Sequence, residues 1–158
     1  MLKKTDVDKY EIKPDLFKLT KILGYGDCLY YSVSMYFYNH QNNHLKIRNE
    51  IYNYLRDKKD RYFEYFVNEN FLGSDKENID NLIEDYIVEN YREGKYWGDL
   101  EHTLRADLYN IKIIVLTVCY TGYNVYNIWE PKNYNDLSNI IIILIYNDQI
   151  NTTLWLFI

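Results

Sequence analysis

Leu23-Gly24-Tyr25-Gly26-Asp27-Cys28-Leu29-Tyr30-Tyr31-Ser32 is the stretch on which the fold turns. Two glycines bracket a tyrosine, an acid follows, and from the cysteine onward the apolar residues take up a helical rhythm. Leu29, Val33, Tyr36 and Phe37 recur at helical spacing and predict one apolar face. Cys28 then sits on the first turn of a helix, behind a glycine-rich elbow. Main-chain N–H groups at a helix start lack helical partners and the dipole is positive there, so a thiolate is favoured and an oxyanion can be received. This is a mounting for a nucleophilic cysteine. A small buried residue opening an ordinary helix has the same local pattern.

Working outward, residues 17–23 alternate in part and predict a short strand feeding the elbow. Residues 1–14 are charged, end at Pro14, and read as a loose lead-in. After the first helix, a polar run at residues 39–43 breaks the pattern. A second helix follows over residues 45–56, with Ile47, Ile51, Tyr54 and Leu55 on one side. Tyr62, Phe63 and Phe66 predict a short aromatic helix. Ser74 and Glu77 form a capping box before Ile79, Leu82, Ile83, Tyr86 and Ile87, which repeat at helical spacing until Gly94. Asp99 is the expected N-cap of the next helix, with Trp97, Leu100, Leu104 and Leu108 as its buried stripe. Strands are expected at residues 111–118, 123–129, 140–146 and 152–158. Helices in the first two-thirds and a sheet at the end define an α+β arrangement in a single domain over residues 1–158.

The 158 residues can bury a core unaided, and 47% hydrophobic with 26% charged content is globular. A net charge of −5 with no basic cluster argues against nucleic acid as the main partner. The longest apolar run, residues 140–145, falls far short of the roughly 20 residues needed to span a bilayer, so no membrane partner is expected. Cys28 and Cys119 make no disulfide framework, and His40, His44 and His102 show no metal-ligand spacing with them. No metal and no cofactor is expected, and Met1-Leu2-Lys3-Lys4-Thr5-Asp6 lacks the apolar run of a signal peptide, so none is expected. A reducing cytoplasm is the expected compartment.

A second segment, Tyr96-Trp97-Gly98-Asp99-Leu100-Glu101, gives the elbow a context. Together the two resemble the ovarian tumour (OTU) family of cysteine proteases, most of which are deubiquitinases. That family reads Asp-Gly-x-Cys-Leu-[Phe/Tyr] at the nucleophile, where this chain has Tyr25-Gly26-Asp27-Cys28-Leu29-Tyr30. It reads Trp-Gly-x-x-Glu-Leu or similar further on, where this chain has Trp97-Gly98-Asp99-Leu100-Glu101. The resemblance runs from about Leu19 to the end. It implies an OTU-like fold, Cys28 as nucleophile, an oxyanion loop at Gly26 and Asp27, and ubiquitin or a ubiquitin-like protein as partner.

The same resemblance exposes two departures. The family's catalytic histidine lies after the last long apolar strand, and here that region, residues 146–155, contains none. Depending on register, Ile150 or Asn151 occupies its position, and neither can carry a proton. The family's aspartate before Gly-x-Cys is Tyr25, while Asp27 directly precedes Cys28, where a carboxylate opposes thiolate formation. Cys28 is therefore expected to react as an ordinary thiol. His102 falls on a polar side of its helix and reads as solvated; His40 and His44 flank a polar loop and read as exposed. The residues favour a catalytically impaired pseudo-deubiquitinase that still binds ubiquitin or a relative. The alternatives are an active deubiquitinase with an unorthodox base, and a non-enzymatic interaction module that kept only the fold.

Overall fold

A computed structural model describes residues 18–23, 27–68, 79–92, 98–119, 122–132, 140–146 and 153–157. They form β1 (Lys18–Ile22), α1 (Cys28–Tyr38), α2 (His44–Asp57), a 3-10 turn (Lys59–Arg61), α3 (Phe63–Asn68), α4 (Ile79–Asn90), α5 (Asp99–Tyr109), β2 (Lys112–Cys119), β3 (Gly122–Trp129), β4 (Ile140–Tyr146) and β5 (Thr153–Phe157). The α+β expectation holds. Ser74, Glu77 and Gly94, assigned from sequence as helix boundaries, lie outside the described residues.

The strands make one mixed sheet in the order β1-β5-β4-β2-β3. All neighbours are antiparallel except β2 and β4, which run parallel. β2 lies inside the sheet, and its successive residues Ile113, Ile114 and Val115 are all buried. Burial on both faces is the reason its sequence is a continuous β-branched run rather than an alternating one. A bulge between Val115 and Leu116 shifts the register against β3.

Two apolar clusters flank α1. One joins Tyr30 and Val33 to Ile47, Ile51 and Leu55 of α2, Ile79, Ile83 and Ile87 of α4, and Leu100 and Leu104 of α5. The other joins Leu29 to Ile22, Ala106, Ile111, Ile113, Val115 and Trp129 on the sheet side. The start of α1 is therefore enclosed on most sides, with Leu29, Tyr30, Ser32, Val33 and Ser34 all buried. The apolar face expected from spacing is only partly right. Phe37 is 41% exposed, while its neighbours Tyr36 and Tyr38 pack against the two clusters.

Asn39 and Asn110 stop α1 and α5 in the left-handed conformation, at φ 57° and 50°. Asparagine tolerates that region better than most residues and so serves as a helix stop. The N-cap of α5 corrects the sequence reading: it is Gly98, and Asp99 is the first helical residue. Leu108, expected on the buried stripe of α5, is only half-buried. No helix among the described residues is long and apolar enough to cross a membrane.

Candidate active site

Cys28 is the first residue of α1, as its sequence context requires. It is half-buried and packs against the sheet-side cluster. The first helical bond runs from the Tyr31 N–H to the Asp27 carbonyl, at 3.0 Å. The Ser32 hydroxyl donates back to the Cys28 carbonyl. The register of the outer strands fixes where the elbow leaves the sheet. Ile22, the last residue of β1, is the Cα partner of Thr153, the first residue of β5. The elbow and the β4–β5 connection thus depart from the same end of the sheet. Tyr25, Gly26, Trp97, Ile150 and Asn151 lie outside the described residues, so the expectations attached to them rest on sequence.

Asp27 departs from what its sequence position implied. It is 1% exposed, and its carboxylate does not cap α1. It forms instead a buried ion pair with Arg48 of α2. The expectation that a bare carboxylate beside Cys28 opposes the thiolate is corrected accordingly, since a guanidinium now stands against that charge. Arg48 also donates through Nη1 to the Asn90 carbonyl at 2.8 Å, and lies 4.0 Å from the centre of the Tyr30 ring.

On the other side of Tyr30 lies Arg105, 5.4 Å from the ring centre and fully buried. Burial pulls its guanidinium down to about 10, still well above neutral pH, so it remains a cation. Its Nε donates to the Glu101 carbonyl at 2.9 Å. The Glu101 carboxylate, itself 0% exposed, accepts from the Tyr86 hydroxyl at 2.6 Å and from the Gly98 N–H at 2.9 Å. The second of these is the main-chain half of a capping box; glycine has no side chain to return the bond. The Tyr52 hydroxyl lies within reach of both Glu101 Oε1, at 3.3 Å, and the Asn90 carbonyl, at 3.2 Å. Desolvation raises Tyr52 and Tyr86 far above the usual phenol range, with Glu101 adding to the effect, so both remain neutral donors.

Two buried acids and two buried arginines around Tyr30 thus join the residue before Cys28 to the glutamate of the tryptophan–glycine segment. Neither arginine was picked out from sequence. A signal existed in the i, i+4 pair Glu101–Arg105, set against the Leu100–Leu104 stripe.

The histidines divide three ways. His40 is exposed, as expected. His44 opens α2 half-buried, its ring 4.3 Å from that of Tyr31, which corrects the expected exposure. His102 is not solvated: its ring stacks on Trp129 at 3.6 Å and 4°. Desolvation first, then the Arg105 charge, drives its pKa far below the usual imidazole range, so it is neutral and carries no proton to deliver. Among the described residues no group of three or more histidines, cysteines or acids is placed to hold a metal ion.

A half-buried thiol thus opens α1 and packs against the residues on the sheet side. The chain belongs to the OTU-like cysteine protease family, whose model matches residues 23–151. Solved structures agree on the fold. The OTU domain of OTUD1 superposes with a TM-score of 0.69 at 18% identity, covering 98% of this chain and 93% of that one. The viral OTU domain protease of Dera Ghazi Khan virus gives 0.64 at 19%, covering 90% and 82%. The Hazara virus OTU domain, solved bound to ubiquitin, gives 0.57 at 15%, covering 90% and 82%. No curated protein sequence matches.

Proposed function

We propose that this OTU domain binds ubiquitin or a ubiquitin-like protein in a reducing compartment and hydrolyses its linkages poorly or not at all. One observation carries the reading: residues 147–152, which lead into β5 at the elbow's end of the sheet, contain no histidine. Of the chain's three histidines, His102 is held neutral against Trp129. A thiol without a proton donor cannot expel an amine, and loss of a triad member costs about 10⁴-fold in turnover. Support for the partner comes from the ubiquitin held by the Hazara virus domain.

Di-ubiquitin cleavage by the unmodified chain should be roughly 10⁴-fold slower than that of the better of Ile150→His and Asn151→His, each combined with Tyr25→Asp. Isotope-labelled ubiquitin should still show saturable shifts on titration. Fast cleavage abolished by Cys28→Ala overturns the impairment, and absence of any shift leaves an interaction module that kept only the fold. A second reading, an active enzyme with an unorthodox base, draws on the His44 ring against Tyr31, which lies about one helical turn beyond Cys28. Loss of cleavage in His44→Ala, with Cys28 still open to alkylation, would select it.

A further inference from the structure

We propose that Arg48 is a positioning residue for Cys28: it anchors the residue before the thiol and cancels that residue's charge. The proposal rests on the reading of Cys28 as the site's thiol, but not on what the site binds.

Arg48 is 0% exposed on a helix otherwise buried through Ile47, Ile51, Tyr52 and Leu55. Burying a guanidinium is costly unless its charge and donors are met. Here the charge and both terminal nitrogens meet groups of α4 and of the start of α1, while Nε finds no acceptor among the described residues. One arm forms the ion pair with Asp27, the second bonds the carbonyl closing α4, and the flat face lies on Tyr30 of α1. The fork geometry of guanidinium serves two acceptors at once, which an ammonium cannot do in the same directions. The entry to α1 is thereby tied to α2 and α4 in one orientation, and with it the first-turn N–H groups around Cys28.

The electrostatic consequence follows from sequence adjacency. A buried carboxylate one residue from a thiol disfavours the thiolate, and a guanidinium in contact with that carboxylate offsets it. Other charged groups are sited around the same helix. α2 also brings His44 to Tyr31, and carries Lys46 over Tyr38 at the far end of α1. β1 carries Lys18 and Lys21, β5 carries no ionisable side chain, and Arg105 with Glu101 lies beyond Tyr30. Among these, Arg48 is the cation paired with Asp27.

The test is the pH dependence of Cys28 alkylation by iodoacetamide, read by peptide mass spectrometry so that Cys119 is resolved separately. Asp27→Asn keeps an acceptor oxygen for Arg48 and removes the opposing charge, so its midpoint should fall by about one unit. Adding Arg48→Met to Asp27→Asn removes the remaining cation, and the midpoint should return upward toward that of the unmodified protein. Arg48→Lys should keep the midpoint while lowering the thermal transition, since charge is retained and the fork is lost. Coinciding midpoints for Asp27→Asn and the unmodified protein overturn the proposal, as do coinciding midpoints for Asp27→Asn and the double variant. Should this double variant not fold, Asp27→Asn with Arg48→Gln, which keeps a donor without the charge, takes its place, and a midpoint equal to that of Asp27→Asn again overturns the proposal. Ubiquitin binding is scored separately, so loss of that reading leaves this result standing.

Discussion

Replacing Glu101 by alanine strands the donors that it now serves: the Gly98 N–H, the Tyr86 hydroxyl and, at longer range, that of Tyr52. It also leaves Arg105 buried without the carboxylate one turn before it. Removing one partner of a buried charge set costs about 3–5 kcal/mol, whereas Tyr86→Phe, which deletes a single donor, costs about 1 kcal/mol. Urea midpoints of the two variants should separate accordingly. Equal losses would show that the Glu101 charge is not structural. At this scale the sequence was least legible. Arg48 and Arg105 have the composition of surface residues, and only tertiary placement shows that each neutralises an acid in the interior. Asp27 was read correctly as a neighbour of the thiol and incorrectly as an unopposed one, because its partner lies on a different helix.

At the scale of elements, local periodicity did most of the work. The helices starting at Cys28 and His44, and the run of β4, fell where spacing put them, to within a residue or two, and the apolar repeat from Ile79 to Ile87 lies within α4. The misreadings occurred where two elements meet. His102 lies off the leucine stripe of α5, yet Trp129 at the end of β3 covers it, and no helical wheel contains that strand. A pH effect on stability follows. The folded-state pKa of His102 is depressed, so above the unfolded value, about 6.5, both states are neutral and nothing is gained or lost. Below that value the unfolded chain takes up a proton that the folded one refuses, and stability falls by up to about 1.4 kcal/mol per pH unit. His102→Phe keeps a ring against Trp129 and has no proton to accept. Its urea midpoint should fall less than that of the unmodified protein between pH 7 and pH 5, and parallel curves would refute the assignment.

For the molecule as a whole, the α+β class and the succession of elements were readable, but the strand order was not. Parallel pairing of β2 with β4, and the insertion of β5 between β4 and β1, bring together segments far apart along the chain. Runs of isoleucine predict a strand and say nothing of its neighbour. The pairing of Ile22 with Thr153 brings the elbow and the last connection to one end of the sheet, and it has a consequence in time. Contacts between distant segments form slowly, because closing the loop between them costs entropy before any pairing repays it. β5 bridges β1 and β4, so until Thr153–Phe157 docks, β1 is not joined to the rest of the described sheet. Helices and the β2–β3 hairpin can form from local sequence alone. The strand that leads to the elbow is the part of this molecule that must wait for the sheet to close.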